Sequence, residues 1–245
     1  MRVAIHQANY FPWMGYFNKL AKSDIFILMD DVHMSDGDMA QRNRLLNKNG
    51  EIAYITTAFE KKGYLQKHIR DIKLNENVDW QKRQKNFLWD TYHKFPAWEE
   101  VYAAIEPIFE EHYDNIFELN ERAIYIIYDL LEIKTPIILQ STLEYNKKCM
   151  KSDLVLELCK AVKADVYLSG NGARKYMAVE TFQKNDIDVQ YQTFKHPAYN
   201  QKLAKGEPVL GLSILDVLFN CGIDQTRKLF WDNLQENEKS EERVI

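Results

Sequence analysis

The stretch Met1-Arg2-Val3-Ala4-Ile5-His6-Gln7-Ala8-Asn9-Tyr10-Phe11-Pro12-Trp13-Met14-Gly15-Tyr16-Phe17 decides the fold. Arg2 to Ile5 reads as a short apolar strand that leaves no room for a secretory signal before it. His6 and Gln7 stand where that strand should end, and a loop dense in Asn, Tyr, Phe, Pro, Trp and Gly follows. Tyr16 to Lys22 reads as a helix, and Ile25 to Met29 as a second strand closed by Asp30-Asp31. This is a β-loop-α-β unit. Open α/β sheets bind ligands outside the carboxyl ends of their strands, so a histidine and a glutamine delivered there point to a bound ligand.

Outward from this unit, residues 32–40 carry turn residues and no period, which predicts a loop. Asn49-Gly50 between Gln41–Leu46 and Glu51–Ala58 is a hairpin signal, with Arg42, Asn43 and Arg44 on its first arm. Tyr64 to Leu74 reads as a strand or an extended linker, and Trp80 to Ile133 as about three helices with their aromatics inward. Short strands are expected at Pro136–Ser141, Asp165–Leu168 and Val189–Phe194. Ser152 and Asp153 are candidate caps for a helix at 154–162. Closing helices are expected at Leu212–Leu218 and Gln225–Trp231. The expected fold is α/β: an open, mostly parallel Rossmann-like (nucleotidyltransferase-like) sheet with a β-hairpin and a helical insert. Its parts are a first half over 1–78, the insert over 79–134, a second half over 135–234 and a frayed tail over 235–245.

Composition narrows the function classes. Hydrophobic residues at 46% and charged residues at 28% are those of a globular protein of 245 residues that needs no metal or disulfide staple. A net charge of -4 argues against a surface that tracks nucleic-acid phosphates. No apolar run reaches the length of a membrane span, so no membrane insertion and a cytoplasmic location are expected. Cys149, Cys159 and Cys221 are far apart and form no CxxC pair, against both a disulfide framework and structural zinc.

The polar tips carry the chemistry. His6-Gln7, Asp30-Asp31, Ser169-Gly170 and Lys195-His196 each follow an expected strand, so parallel strands would bring them to one rim. His6 and His196 can bind phosphate or act as acid or base; a hydrogen-bonded structural role is the alternative for each. Asp30 and Asp31 can hold Mg²⁺ through a carboxylate, Asp31 above all, or merely form a capped turn. Ser169-Gly170-Asn171-Gly172, with Lys175 after it, can cradle a phosphate, or be an ordinary glycine turn. Arg44 can clamp a carboxylate or phosphate. Tyr10 and Trp13 can stack on a base or sugar or pack the loop down.

Together these residues resemble the WbqC-like family. Its His-Gln-Pro-Asn-Tyr-Phe-Pro-Trp-x-Gly-Tyr-Phe opening is similar to His6–Phe17, with Ala8 for the proline. Its Asp-Asp-Val and Gln-x-Arg-Asn are similar to Asp30–Val32 and Gln41–Arg44; its Tyr-Leu-Ser-Gly and Phe-Lys-His-Pro-x-Tyr match Tyr167–Gly170 and Phe194–Tyr199. A Leu-Ser-x-Leu-Asp-x-Leu-Phe-Asn block appears at Leu212–Asn220. One stretch departs: the family's basic, aromatic loop before Gln41 is acidic and small here, Ser35–Ala40.

The resemblance implies a role in bacterial surface-polysaccharide or O-antigen assembly on a sugar nucleotide. At fold level the opening unit also looks like the nucleotide-binding half of adenylate-forming enzymes such as pantothenate synthetase, although their HxGH signature is absent. The leading expectation is ATP-dependent transfer of a small acyl or aminoacyl group to the amine of a nucleotide-linked amino sugar. His6, Asp30, Asp31, Arg44 and His196 would act on the reacting groups; Gln7, Tyr10, Trp13, Gly15, Ser169, Gly170, Gly172 and Lys175 would bind ATP; Gln41, Asn43 and Tyr199 would hold the acceptor. Partners are then a nucleotide-linked sugar, a small carboxylate and, as a candidate, a second copy of the chain. A glycosyltransferase and a non-catalytic scaffold are the competing readings.

Overall fold

Continuous burial along the first strand, Val3 to Ile5, builds the core. The computed structural model describes residues 1–35 and 37–241, with side chains described through residue 235. Its elements run β1 (Arg2–Gln7), α1 (Met14–Ala21), β2 (Ile25–Met29), β3 (Arg42–Leu46), β4 (Ile52–Thr56), α2 (Trp80–Tyr92), α3 (Trp98–Ile105), α4 (Pro107–Glu110) and α5 (Ile116–Leu130). They continue as β5 (Ile137–Leu139), α6 (Lys151–Ala161), β6 (Val166–Ser169), α7 (Val179–Gln183), β7 (Asp188–Tyr191), α8 (Ile214–Cys221) and α9 (Ile223–Glu241).

Five strands form a wholly parallel sheet in the order β5-β2-β1-β6-β7. Side chains alternate across it. Val3, Ile5, Ile27 and Tyr167 face one way and pack with Leu156 and Cys159 of α6 and Phe182 of α7. Ala4, Phe26, Leu28 and Leu168 face the other way, with Phe17 and Leu20 of α1, Ile124 and Ile127 of α5 and Leu218 of α8. Both faces are covered, as parallel sheets require. From β1 the chain crosses to β2 and then β5 on one side, and later returns to β6 on the other side of β1. The carboxyl end of β1 is therefore a switch point of the topology, where crossovers diverge.

The hairpin of β3 and β4 is a separate antiparallel pair, Arg42 opposite Thr56 and Leu46 opposite Ile52. Gly50 closes its turn at φ 77°, and Asn47 Oδ1 accepts the Asn49 N–H at 2.8 Å, so the Asn-Gly signal finds its turn.

Several boundaries differ from those expected. His6 and Gln7 belong to β1, paired in register with Leu28 and Met29; Ser169 is likewise the last residue of β6. Tyr64–Leu74 is neither strand nor plain linker but two 3-10 turns, Tyr64–Gln66 and Ile69–Asp71, tied to the loop after β2 by the Ile69 N–H on Val32 O at 2.8 Å. The insert has four helical segments, because Pro107 cannot donate into a continued helix after α3. Ser152 does not cap α6; the helix starts at Lys151, and the Ser152 hydroxyl accepts the Ala178 N–H at 3.0 Å. His196 lies five residues beyond the end of β7, not directly after it. The tail is helical to Glu241, and 242–245 lie outside the described residues. No helix among the described residues is long and apolar enough to cross a membrane.

Candidate active site

A cleft of about 420 Å³ opens at the carboxyl end of β1, lined by His6, Gln7, Asn9, Trp13, Asp38, Met39, Asn43, Arg44 and Gly211. Three segments meet there: the β1–α1 loop, the approach to β3 with β3 itself, and the stretch before α8.

The first segment is held from below. Asn43 Nδ2 donates to the carbonyls of Tyr10 at 3.0 Å and Phe11 at 2.9 Å, and its Oδ1 accepts the Arg44 N–H at 2.8 Å. Ser213 Oγ also donates to Phe11 O, at 2.8 Å. These bonds hold Phe11 at φ 39°, a left-handed conformation that costs a bulky residue about 1–3 kcal/mol. Tyr10 is fully buried with its hydroxyl on Gln84 at 2.6 Å, so it packs the loop and offers no ring to a ligand. Asn43, the expected acceptor residue, is 3% exposed and spends its amide on the loop.

The second segment closes the rim. The Gln7 amide donates to Asp38, whose carboxylate also accepts the Ala40 N–H at 3.2 Å. With its amide oxygen turned to them, Gln41 accepts the N–H groups of Gly37 at 2.7 Å and Asp38 at 3.2 Å. Gln41 therefore shapes the loop rather than reaching the cleft.

The third segment supplies a wall for Arg44. Its Nη2 donates to Gly211 O at 2.9 Å, and Ser213 N–H returns to Arg44 O at 2.8 Å. No carboxylate among the described residues forms an ion pair with Arg44. Its Nε and the Oδ1 of Asn9 are buried without a hydrogen-bond partner among the described residues. Buried polar atoms rarely stay unpaired, and a guanidinium at a cleft with no ion-pair partner among the described residues suits an anionic ligand.

His6 is partly buried, edge-on to Tyr16 at 4.9 Å, with its Nδ1 at 3.1 Å from Gln7 O. Burial, and next the charge of Lys19, pull its pKa down to about 3, so the imidazole is neutral in the free protein near pH 7. Lys19 is the group the sequence did not betray. It lies inside α1, 3% exposed, with Nζ donating to Ile5 O at 3.0 Å. Burial lowers its pKa to about 7. An ammonium with no acidic partner is costly to bury, and nothing in the helix pattern separates Lys19 from a solvated lysine.

The other expected residues stand apart from this cleft. Ser169 and Gly170 share its edge of the sheet, because β1 and β6 are parallel neighbours with Ala4 opposite Leu168. However, Ser169 is fully buried, its hydroxyl on Gly170 O at 3.3 Å, and the following turn, Asn171–Lys175, is a 3-10 segment and not an α-helix. Gly170 and Gly172 have ordinary φ and open space around them, and Lys175 is exposed. Gln192 links this turn to the cleft wall: its N–H donates to Ser169 O at 2.8 Å and its amide to Gly15 O at 2.8 Å.

Asp30 and Asp31 form a second cluster. Asp30 accepts the Ser141 N–H at 2.9 Å, while Asp31 pairs with Arg70 at 2.7 Å and His68 at 2.7 Å. Mg²⁺ favours carboxylates free to offer it charge; Asp31 is already engaged by Arg70 and His68 and Asp30 by the Ser141 N–H, a set that does not fit the ion, so no step is routed through a metal here. Tyr199 donates to the buried Asp216 at 2.8 Å, beside Tyr92 at 3.2 Å, and so anchors α8. His196 sits behind the wall, its ring 5.7 Å from Phe194, which meets Trp13 at 5.0 Å. Burial lowers the His196 pKa, and its Nε2 is buried without a partner among the described residues.

The model of one family, the WbqC-like protein family, matches residues 7–228, which hold every cleft-lining residue but His6, and four of the five sheet strands with the last residue of β1. The chain belongs to the WbqC-like protein family. A curated relative, the uncharacterized protein Rv1507c of Mycobacterium tuberculosis, is 33% identical over 225 residues, covering 91% of this chain and 95% of its own. No solved structure matches the chain.

The glycine of the WbqC-like opening motif has a steric reason here. A Cβ at Gly15 would fall within the indole of Trp13, which lines the cleft. Glycine to alanine inside a helix ordinarily stabilises by about 0.5–1 kcal/mol. Gly15→Ala is expected to reverse that sign, costing about 1–3 kcal/mol by overpacking and shifting tryptophan emission. Gly172→Ala, whose Cβ would meet nothing, should leave both the urea midpoint and the emission unchanged.

Proposed function

We propose that this WbqC-like protein is an enzyme of surface-polysaccharide biosynthesis that transfers a small acyl or aminoacyl group to the amine of a nucleotide-linked amino sugar. The observation that carries the reading is the cleft itself: a guanidinium and an amide oxygen that find no acidic partner and no donor among the described residues, beside a neutral imidazole, at the switch point of a parallel sheet.

Each group has a part in such a transfer. Arg44 holds a carboxylate or phosphoryl oxygen through its open N–H groups. Asn9 Oδ1 accepts from the amine or a sugar hydroxyl and orients it. Trp13 offers an apolar wall to the sugar or base. A base with pKa near 3 is too weak to take a proton from an amine at pH 7. A bound anion raises that pKa, so His6 gains basicity when the substrate arrives. Lys19, coupled to His6 by charge, gains a proton by the same field. The carboxylate would attack the α-phosphorus of ATP and expel pyrophosphate, and the amine would then displace AMP from the acyl-adenylate to form the amide, its proton passing to His6.

The test is amine- and carboxylate-dependent release of AMP and pyrophosphate from ATP by the purified chain. Arg44→Met and His6→Gln should each reduce that release at least about a hundredfold, as loss of a charge-stabilising or proton-moving group does. Sugar-nucleotide binding with no AMP from any pair would defeat acyl-adenylate chemistry. A glycosyltransferase is the second reading, favoured by one feature: the Ser169–Lys175 turn, the expected cradle for ATP phosphates, does not line the cleft. It would release nucleoside diphosphate without ATP.

A further inference from the structure

We propose that the groove between α2 and α3 is a saccharide-binding subsite, distinct from the cleft at β1. The groove has a volume of about 480 Å³ and is walled by aromatic rings and rimmed by polar side chains. Trp89 is the exposed ring, at 54%. Single apolar side chains in water are ordinary; this one matters because it walls a groove together with Trp98 and Tyr102.

That ring is fixed in place. His93 stacks on it at 4.7 Å with an interplanar angle of 9°, and Trp98 abuts it edge-on at 5.6 Å and 83°. Trp98 is itself buried, stacked with Tyr102 at 4.6 Å and with Phe219 at 5.6 Å. A ring already ordered by its neighbours loses little entropy when a ligand lies on it.

The rim decides the ligand class. The side chains of Asn86, Glu99 and Glu106 line the groove and make no hydrogen bond to another described residue. Lys85, the cation of the rim, is paired with Glu110 at 2.8 Å. Two carboxylates beside a committed lysine repel a phosphoryl or carboxylate ligand. They accept well from hydroxyl and amino groups. An aromatic cage for a quaternary cation needs several exposed ring faces, whereas Trp98 is buried and Trp89 alone of the three rings is exposed. A pyranose ring meets all of these terms. Its flat C–H face lies on Trp89, and its hydroxyls or amino group reach Asn86, Glu99 and Glu106. The inference stands apart from the reading of the cleft, since a protein that only binds or extends glycans could carry it equally.

The experiment is a titration of the full chain, followed by amide and indole N–H resonances, with glucose, N-acetylglucosamine, N-acetylgalactosamine and glucosamine in turn. At least one is expected to shift the Trp89 indole and its neighbours on α2 and α3 saturably. Trp89→Ala should weaken that binding about tenfold or more, the scale of a single aromatic anchor, and Glu99→Gln by a smaller factor. Both residues are at the surface, so the variants should keep the native spectrum elsewhere. The proposal is overturned by no saturable shift in α2 and α3 with any of the sugars, or by binding that Trp89→Ala leaves unchanged. Shifts there that follow protein concentration alone would overturn it too, by assigning the groove to a second copy of the chain.

Discussion

Asn43→Ala is expected to lower unfolding stability by about 3 kcal/mol, a fall in Tm of roughly 6–12 °C for a chain of this size. The reason lies in what the amide holds. Its Nδ2 serves two buried loop carbonyls, and its Oδ1 serves the Arg44 N–H. Phe11 O keeps the Ser213 hydroxyl after the substitution, but Tyr10 O and the Arg44 N–H lose these side-chain partners. A buried group left unpaired costs about 1–3 kcal/mol. The strain at Phe11 then has one tether fewer. Ser213→Ala should cost less, since Phe11 O retains Asn43. Urea unfolding of both variants checks the order; a loss below about 1 kcal/mol for Asn43→Ala would mean that the loop is held by other means.

The second large effect is one of pH. Burial takes the Lys19 pKa from 10.5 down to about 7. Between those values the unfolded chain holds a proton that the folded chain has released, so stability rises with pH across that window, by up to about 1.4 kcal/mol per pH unit. Below pH 7 both states hold the proton, and the folded state bears the full cost of a buried ammonium. Lys19→Met removes that titration. It also leaves Ile5 O without the lysine donor, a cost of about 1–3 kcal/mol at every pH. The variant is therefore expected to gain at least about 2 kcal/mol relative to the parent on going from pH 10 to pH 6. A parallel offset at both pH values would show that Lys19 is paired and charged. His6 acts at the acid end: its folded pKa, about 3, lies below the ordinary 6.5, so its contribution is present above pH 6.5 and is lost as pH falls toward 3.

These residues also show how far the sequence could be read. The apolar runs Val3–Ile5, Ile25–Met29 and Val166–Leu168 mark buried strands by composition, their alternation with helices points to parallel pairing, and Asn49-Gly50 specifies its hairpin. His6 and Gln7 look like loop residues because only tertiary pairing with β2 makes them strand. His6, Gln7, Trp13 and Arg44 line one cleft, whereas the common rim expected for His6-Gln7, Asp30-Asp31, Ser169-Gly170 and Lys195-His196 rests on strand order alone. Tyr10, Gln41, Asn43 and Tyr199 belong to the same motifs but hold the scaffold. A polar group that braces a loop and one that grips a ligand leave the same mark in a sequence. Asn9 belongs to the opening loop itself, while Asp38, Met39 and Gly211 enter the cleft through long-range folding of loops, which no local period encodes. Gly211 had one readable sign, a glycine just before a helix; its φ is 70°, and a Cβ there would press on Arg44.

The central claim is that substrate enters the cleft at the carboxyl end of β1 and meets Arg44 there. Hydrogen exchange of the full chain with and without a nucleotide-linked amino sugar tests it most directly. The expected result is slowed exchange in residues 6–15, 38–44 and 209–213, abolished by Arg44→Met. Protection confined to residues 169–176, or to the Asp30–Asp31 cluster, with those three segments unchanged, would contradict it.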